Sequence, residues 1–306
     1  MKRVLITGGS GSLGRSFIKE YYDKYEFFSI SRGEMLQSSL HDEFPNVKNF
    51  VGCITDTCFI HSVYEKVKPD IVIHAAAMKH IELVEQQPIQ GCLINIVGSM
   101  GIINVSRTHN TPITIGISTD KACAAAGIYG VTKMMMEKCF MEANSDDVKF
   151  ASCRFANIAN SSSSIIPRWK KMKENNDTIK VTDKRMNRMF FSLSEAAKFI
   201  HRTIDECESG GGFVGVNTAM KSASIYKLAK EISNNIEIIG KRTNVEKFDE
   251  DLISEIELPY TSIVDEGYVK IFNHKNENVM NTLKESYGSH NAKPMSDGEI
   301  KQLIRG

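Results

Sequence analysis

The sequence has little that would indicate metal binding or covalent cross-linking. Its seven cysteines are odd in number and include no C-x-x-C pair, which argues against a disulfide framework and indicates free thiols in a reducing compartment. The eight histidines show neither H-x-x-x-H nor H-E-x-x-H spacing, so the sequence offers no zinc site. We therefore expect no metal, and a fold that is stabilised by its hydrophobic core.

An excess of charge and long apolar runs are also missing. Lysine and arginine total 38 and aspartate and glutamate total 37, so the net charge of +1 gives no general attraction to nucleic acid or an anionic membrane. The longest apolar run, near residues 71–78, is far shorter than the ~20 residues of a membrane helix. The N-terminal stretch Val4–Ile6 is too short for a signal peptide. We expect a cytoplasmic protein that binds neither nucleic acid nor membrane and holds anions through a local site.

Strand and helix patterns alternate through the first half of the chain. The composition, 42% hydrophobic and 25% charged over 306 residues, is that of a globular protein with one large domain or two smaller ones. Apolar strands that alternate with helices predict an α/β fold with a doubly wound parallel sheet. The predicted strands are Arg3–Thr7, Phe27–Ile30, Val47–Val51, Asp70–Ala76, Ile113–Ser118 and Val148–Phe155, and the predicted helices are Ser12–Lys24, Thr57–Val67, Ile81–Arg107 with a kink near Pro88, and Ile128–Ala143.

The pattern changes after about residue 156. We predict a dinucleotide-binding domain over residues 1–156, to which residues from about 185 to 217 return, and a smaller, irregular C-terminal substrate domain over residues 157–306. Roughly the last 60 residues are weakly patterned. The predicted elements are helices over Ile165–Lys173, Ser194–Glu208 with Ser194 as N-cap, and Ser224–Asn234, and strands over Thr178–Thr182 and Phe213–Asn217.

A glycine-rich loop follows the first strand and opens the first helix. Gly9-x-Gly11-x-x-Gly14 lets the backbone approach a pyrophosphate, and the helix N-terminus supplies free N–H groups. The alternative is a glycine turn without a ligand. The predicted contacts with the dinucleotide are Gly8, Ser10, Gly11, Ser12, Leu13 and Gly14.

The end of the second strand favours one dinucleotide over the other. An NAD site has an acidic residue here that accepts a hydrogen bond from the ribose 2′-hydroxyl. This strand ends with Ser31 and Arg32, which can donate hydrogen bonds to a 2′-phosphate. NADP is therefore favoured, the alternative being that Arg32 is a solvated loop residue.

Candidate catalytic residues lie at the end of the fifth strand and in the following helix. Ser118-Thr119-Asp120-Lys121 ends the strand, and Tyr129 and Lys133 are four residues apart, on one face of the helix. A tyrosine has an ordinary pKa near ~10 and becomes a base at neutral pH only with a cation such as Lys133 nearby. This spacing predicts an activated tyrosinate.

Taken together, these motifs resemble the extended short-chain dehydrogenase/reductase superfamily, a Rossmann-fold group. Within it, Ser118-Thr119-Asp120-Lys121-Ala122 is similar to the UDP-N-acetylglucosamine 4,6-dehydratases of polysaccharide synthesis, including the C5-inverting type. Further matching motifs are His74-Ala-Ala-Ala77, Met78-Lys79-His80, Thr182-Asp183-x-x-Met186-x-Arg188 and Tyr287-x-Ser289-His290-Asn291. The resemblance covers most of the chain.

This resemblance implies a reaction and a set of contacts. Tyr129 would take the O4 proton during oxidation at C4, Lys121 would remove the C5 proton, and Asp120 would protonate the leaving 6-hydroxyl. The protein would be a homo-oligomer that binds NADP and a UDP-sugar. The resemblance also implies that Thr119 is catalytic. The implied cofactor contacts are Ile54, Ala75, Ala76, Lys79, Asn95, Tyr129 and Lys133. The implied substrate contacts are Lys79, Asn157, Arg188 and Arg242.

Two other functions stay open at this point. A nucleotide-sugar 4-epimerase of the same fold would use Tyr129 and Thr119 but would not need Asp120 and Lys121. A non-catalytic NADP-binding scaffold or sensor would not need Tyr129 or Lys133, both of which are present. The family's Gly-x-Arg-x-Gly-Glu-Lys segment corresponds to residues 240–247, where the spacing between Arg242 and Glu246 is one residue longer than in the family pattern.

Overall fold

A computed structural model of the chain describes residues 1–162, 164–241, 245–274 and 281–305. The strands are β1 (Lys2–Thr7), β2 (Tyr25–Ser31), β3 (Lys48–Val51), β4 (Ile71–His74), β5 (Ile113–Thr119), β6 (Lys149–Phe155), β7 (Asn157–Ile158), β8 (Ile179–Val181), β9 (Asn187–Phe191), β10 (Phe213–Asn217), β11 (Ser222–Ser224), β12 (Ile236–Ile238), β13 (Asp251–Ile253), β14 (Thr261–Asp265), β15 (Tyr268–Phe272) and β16 (Tyr287–Gly288).

Helices connect most of these strands. They are α1 (Ser12–Glu20), α2 (Glu34–Glu43), α3 (Thr57–Val67), α4 (Ile81–Gln86), α5 (Pro88–Cys92), α6 (Gly98–Thr108), α7 (Ile128–Ala143), α8 (Ile165–Glu174), α9 (Leu193–Ser209), α10 (Ile225–Ile232) and α11 (Asp297–Arg305). A π-helical turn, Leu93–Val97, joins α5 and α6 into one continuous helix.

Nine of the described strands form one twisted sheet in the order β14-β15-β10-β6-β5-β4-β1-β2-β3. Every pairing from β3 across to β10 is parallel, while β14 and β15 pair antiparallel at the far edge. The doubly wound α/β fold predicted from the sequence is confirmed.

The central strands are apolar throughout because both faces of the sheet are covered. In β1, Val4 and Ile6 belong to the core on one face, whereas Leu5 belongs to the core on the other. Ile73 and Val72 in β4 divide between the same two faces. Successive side chains of a strand point to opposite faces, so a strand between two helix layers needs an unbroken apolar sequence.

The far edge of the sheet was not foreseen from the sequence. β14 and β15 come from the weakly patterned C-terminal segment, and β15 pairs antiparallel with β10. Gly267, in the turn between them, has a φ of 112°, a backbone conformation that L-residues rarely adopt. The two strands are therefore joined by a local turn. Buried and exposed residues do not alternate regularly along them, so the sequence shows no clear strand pattern here.

Two local features of the structure, helix α2 and the N-cap of α9, differ from the prediction. Helix α2 was not predicted because only Gln37 and Leu40 are buried along its length, which leaves no clear apolar period. The N-cap of α9 is Ser192 and not Ser194: Ser192 and Glu195 form a reciprocal capping box. The hydroxyl of Ser194 instead donates a hydrogen bond to Glu20.

A second hydrophobic cluster lies beside the main sheet. It is built from the second half of the chain, with Trp169 of α8, Val181 of β8, Leu228 of α10 and Ile300 of α11 among its buried members. Strands β10, β14 and β15 of that half belong to the main sheet instead. The division into a dinucleotide domain and a substrate domain at residue 156 stays a prediction.

The strand order leaves a crevice at the carboxyl ends of β1 and β4. The chain moves from β1 outward to β2 and β3, and then returns to continue on the other side through β4, β5 and β6. The connections therefore leave in opposite directions, and ligands of such sheets bind at this point. The candidate site residues at the ends of β1, β4 and β5 all lie at this edge.

A buried arginine joins the sheet to two other parts of the structure. Arg154 of β6 is 2% exposed, and its guanidinium donates hydrogen bonds to both carboxylate oxygens of Glu137 on α7, at 3.0 and 2.7 Å. The same group donates to both oxygens of Glu257, at 3.1 and 2.8 Å, and to the Leu252 carbonyl at 2.8 Å. These bonds satisfy the guanidinium on both sides.

We expect Arg154→Met to lower the free energy of unfolding by about 3–5 kcal/mol, because it leaves the Glu137 carboxylate buried and unpaired. Urea denaturation of the variant and wild type would measure the difference. Lys48→Ala is the control, since it removes an exposed ion pair with Glu26 and should cost less than about 1 kcal/mol. An Arg154→Met protein as stable as the control would show that the network contributes little.

Candidate active site

The glycine-rich loop forms a cradle between β1 and α1. Gly8 has a φ of 77°, and a Cβ there would lie 3.0 Å from the Ala76 backbone nitrogen. A Cβ on Gly14 would lie 2.5 Å from the carbonyl oxygen of Gly9. The N-cap of α1 is Gly11, and no side chain caps this helix. The free N–H groups and the positive end of the helix dipole fit a pyrophosphate, so the cradle suits a dinucleotide.

A cavity of about 570 Å³ extends from this cradle across the edge of the sheet. The predicted site residues that line it are Gly8, Gly11, Ser12, Leu13, Gly14, Ala75, Lys79, Thr119, Asp120, Lys121, Tyr129, Lys133, Asn157 and Arg188. The predicted residues outside its lining are Ser10, Ser31, Arg32, Ile54, Ala76 and Asn95. Arg242 lies outside the described residues.

Two of the residues outside the lining support the loops around the cavity. Asn95 lies in the π-helical turn, is 1% exposed, and exchanges hydrogen bonds with the backbone N–H and carbonyl of Met78. Its amide also donates to the hydroxyl of Thr132 in α7. Ile54 is buried and packs under Gly98. Asn95 and Ile54 thus position the cavity walls without reaching into the cavity.

The end of β2 lies next to the glycine cradle. Ser31 accepts a hydrogen bond from the backbone N–H of Ser10 at 3.3 Å, which ties this strand end to the loop. Arg32 is exposed. In the stretch Ser29–Gly33 the strand end carries no carboxylate, so an anionic group bound here would meet a serine and an arginine.

Tyr129 lies in the first turn of α7, facing the end of β5. Burial raises its pKa, the positive charge of Lys121 lowers it, the Asp120 carboxylate raises it, and a hydrogen bond with Thr119 lowers it. The net result is a pKa above the usual value. Lys121 is therefore a cation that acts on Tyr129 in this structure, and the role of Lys133 that the sequence suggested stays a prediction.

Lys133 lies one turn further along α7 and is 3% exposed. Its amine is 3.1 Å from the sulfur of Met136. Burial lowers its pKa to about 8, against the opposing effect of Glu137. An amine held this way in an apolar wall gains from a hydrogen-bond acceptor, which the hydroxyls of a bound dinucleotide would supply.

Asp120 and Lys121 form the first turn after β5. The Lys121 amine is 3.0 Å from Oδ1 of Asp120, and the Thr119 hydroxyl donates a hydrogen bond of 2.9 Å to the same oxygen. Asp120 is 1% exposed, and its other oxygen is buried without a hydrogen-bond partner among the described residues. Burial lowers the pKa of Lys121, but Asp120 and Glu250 outweigh this and leave it raised.

Glu250 completes this cluster and was not identified from the sequence. It precedes β13, is 4% exposed, and approaches Lys121 to 3.9 Å and Arg188 to 3.7 Å. Arg188 donates hydrogen bonds to the carbonyls of Lys247 and Phe248, which fixes the chain just before Glu250. The one signal for it in the sequence is its position shortly after residues 240–247, the segment that departs by one residue from the family pattern.

The remaining predicted substrate residues lie around the rim of the cavity. Lys79 projects from the loop after β4, and burial lowers the pKa of its amine. Asn157 lines the wall while its amide donates to the Met189 carbonyl at 3.2 Å, joining β7 to β9. The cavity therefore places the glycine cradle, Tyr129 and the Asp120–Lys121 pair in one continuous space, an arrangement that would suit oxidation followed by proton transfer on one substrate.

Comparisons with known proteins agree with this geometry. The model of a family described as polysaccharide biosynthesis protein matches residues 4–271. The chain is 31% identical to a UDP-N-acetylglucosamine 4,6-dehydratase (inverting) of Campylobacter jejuni, over 99% of this chain and 97% of that protein.

Two solved structures are similar in fold. Pen from Bacillus thuringiensis superposes with a TM-score of 0.89 and 28% identity, over 99% of this chain and 97% of that one. A UDP-glucose 4-epimerase from Bifidobacterium longum, in complex with NAD+ and UDP, has a TM-score of 0.69 and 18% identity, over 79% of this chain and 87% of that one.

Proposed function

The chain belongs to the polysaccharide biosynthesis protein family, as its motifs predicted, and from this premise we propose that it is a UDP-N-acetylglucosamine 4,6-dehydratase that inverts C5. The observation that carries the proposal is the contact of 3.0 Å between the buried Asp120 and the partly buried Lys121, in the same cavity as Tyr129. An acid and a base side by side suit the loss of water across C5 and C6.

Each proposed step uses a group that the cavity contains. Tyr129 takes the proton from O4 as C4 is oxidised. A nicotinamide held by the glycine cradle and by Lys133 would supply an acceptor for the hydride of C4, and that hydride would return to C6 after water has been lost. Lys121 then removes the C5 proton, which the new ketone has made acidic, and Asp120 gives its proton to the leaving O6. Water then gives a proton to the opposite face of C5, which completes the inversion, and the product is a UDP-2-acetamido-2,6-dideoxy-4-keto-hexose.

The second candidate function is a nucleotide-sugar 4-epimerase. The fold it shares with the Bifidobacterium longum epimerase favours this alternative, as does the presence of Tyr129 and Thr119. Epimerisation at C4, however, needs neither an acid at O6 nor a base at C5. The burial of Asp120 and Glu250 around Lys121 therefore supports the dehydratase. A non-catalytic scaffold has no use for this arrangement.

We expect Lys121→Ala and Asp120→Asn to slow water loss from UDP-N-acetylglucosamine by ~10²–10⁴-fold each, which is the usual contribution of a positioned acid or base. NMR spectra in D₂O would follow the 4-keto-6-deoxy product and deuterium at C5. Tyr129→Phe is the comparison, because it should stop the reaction earlier, at oxidation of C4.

Two results would contradict this mechanism. If Lys121→Ala still exchanges C5 deuterium at the wild-type rate, the base lies elsewhere. If the wild-type protein converts UDP-N-acetylglucosamine only into its C4 epimer, the epimerase is the correct function.

We further propose that the cofactor is NADP. The support is local: Ser31 ends β2 and the exposed Arg32 follows it, where an NAD site would carry a carboxylate. The glycine cradle does not distinguish the two cofactors, because both carry the same pyrophosphate. The choice therefore depends on the 2′-phosphate and on the groups that donate hydrogen bonds to it.

Arg32→Asp should weaken NADP binding at least about tenfold, since it exchanges a cation for an anion beside the 2′-phosphate. NAD affinity should stay the same or rise, and calorimetric titration with each dinucleotide would measure both. Arg305→Asp, in α11 far along the chain, makes the same charge change as a control. Wild-type protein that binds NAD as tightly as NADP would refute the choice.

We also propose that the protein is a cytoplasmic homo-oligomer, joined through an apolar face on the continuous helix of residues 88–108 and on α7. Exposed side chains on this face are Ile89, Leu93, Val97, Met100, Val131 and Met135. The helix is long and apolar enough to cross a membrane by length and composition, but 44% of its most apolar 18-residue stretch is buried inside the protein. That buried side packs on the fold and cannot face lipid, so a second copy of the chain suits the face better.

Val97→Glu should dissociate the oligomer, because it places a charge in the centre of the proposed interface. Light scattering coupled to gel filtration should show wild type as a dimer or larger species and the variant as a smaller one. Ile256→Glu introduces the same change at an exposed residue elsewhere and should have no effect. A monomeric wild type, or one that sediments with lipid vesicles, would argue against the proposal.

A further inference from the structure

Glu250 is a buried carboxylate in the cavity wall that the reaction steps above do not use. Its backbone is fixed on both sides by Ser289: the Glu250 N–H donates to the Ser289 hydroxyl at 3.0 Å, and its carbonyl accepts from the Ser289 N–H at 2.9 Å. Ser289 belongs to the C-terminal motif Tyr287-x-Ser289-His290-Asn291. That motif therefore helps to hold Glu250 where it is.

The Glu250 side chain faces two cations. Its Oε1 lies 3.9 Å from the amine of Lys121 and 3.7 Å from the guanidinium of Arg188. Its Oε2 is buried and has no hydrogen-bond partner in the part of the chain that the structure describes. Burying a carboxylate oxygen without a partner costs free energy, and a native protein that keeps one commonly uses it.

We propose that Glu250 is a positioning residue for the C5 base: it holds the Lys121 amine in place and stabilises the ammonium that forms when Lys121 takes the C5 proton. The inference rests on the proposed dehydratase function. In that step the C5–H bond breaks and an N–H bond forms on Lys121, while the O–H bond of Asp120 breaks and an O6–H bond forms. Glu250 keeps its protonation state throughout.

Asp120 cannot fill this role alone. As the proposed acid it gives a proton to O6 during the reaction, so it cannot serve as a constant negative charge beside the Lys121 ammonium. Glu250 takes no part in that proton transfer, and its Oε1 lies 3.9 Å from the Lys121 amine. A carboxylate behind a base stabilises the conjugate acid in the same way in other acid–base sites.

The charges around the pair give the expected pH dependence. The groups that act on Lys121 and Glu250 are Asp120, Tyr129, Arg188 and Lys247. Burial lowers the pKa of Lys121, while Asp120 and Glu250 raise it. Burial also raises the pKa of Glu250, against the effect of the nearby cations. Removing the Glu250 charge should therefore lower the pKa of Lys121, so that the free amine persists to lower pH.

Glu250→Gln tests this with two readouts. Water loss and deuterium entry at C5 should slow at least about tenfold, because the forming ammonium loses its stabilising charge. The acid limb of the pH–rate profile should move to lower pH by about one unit, because an opposite charge at this distance is removed. Oxidation at C4, followed as reduced nicotinamide in a single turnover, should stay within about twofold of wild type.

The controls separate this role from a purely structural one. Glu255→Gln removes an exposed carboxylate five residues away and should change neither readout. Glu250→Asp keeps the charge and should restore the wild-type acid limb with part of the rate, and circular dichroism would verify that each variant is folded. If Glu250→Gln does not fold, Glu250→Asp alone carries the test: a folded variant that slows C4 oxidation as much as water loss would overturn the inference.

Failure of the inference differs from failure of the proposed function. A wild-type protein that forms 4-keto-6-deoxy product, with a Glu250→Gln variant of wild-type rate and unshifted acid limb, overturns the role of Glu250 only. A wild-type protein that forms no such product from UDP-N-acetylglucosamine overturns the proposed function, and the role of Glu250 with it.

Discussion

The buried guanidinium of Arg154 is the interaction on which the arrangement of the cavity depends. From near the carboxyl end of β6 it binds Glu137 in α7, the helix that carries Tyr129 and Lys133. It also binds Glu257 and the Leu252 carbonyl, in the segment that directly follows Glu250. A buried ion network is stable only when each charge keeps its partner, so the two walls of the cavity form together. The tyrosine and the Lys121 cluster thereby keep a fixed separation.

The distribution of charge explains how a nearly neutral chain can hold an anionic ligand. The net charge is only +1, yet cationic side chains are concentrated in the cavity wall, at Lys79, Lys121, Lys133, Arg168, Lys180, Arg188 and Lys247. The acidic groups there are Glu85, Asp120, Glu246 and Glu250. Charges that line a concave, weakly polarisable wall act more strongly on a ligand than the same charges on an open surface. An anionic ligand would thus be attracted by the charges of the cavity wall and not by the net charge of the protein.

Features that depend on nearby residues could be predicted from the sequence, and features that depend on distant contacts could not. The glycine loop and the spacing of Tyr129 and Lys133 are local, and the structure brings both to the same cavity. Glu250 is absent from the prediction because it reaches Lys121 only through the fold and is held by Ser289, 39 residues later. Asn95 is a different case, because its position could be predicted but its role could not. The position matches a family motif, whereas its hydrogen bonds with Met78 and Thr132 join residues far apart in the chain.

In the proposed reaction, Lys121 has to act first as a cation and then as a neutral amine. The charges of its neighbours can determine when it changes from one to the other. As a cation it lowers the pKa of Tyr129 and favours the tyrosinate that takes the O4 proton. Once Tyr129 is protonated, an anion beside Lys121 has disappeared, and the ammonium can pass a proton to the Asp120 carboxylate 3.0 Å away. An N–H bond of Lys121 breaks and an O–H bond of Asp120 forms, which leaves the free base that C5 requires and the acid that O6 requires. When Asp120 gives up its proton to O6, a new anion appears 3.0 Å away and stabilises the ammonium that has just formed. Oxidation, proton removal and water loss thus follow one another because each proton transfer changes the charge beside the same amine.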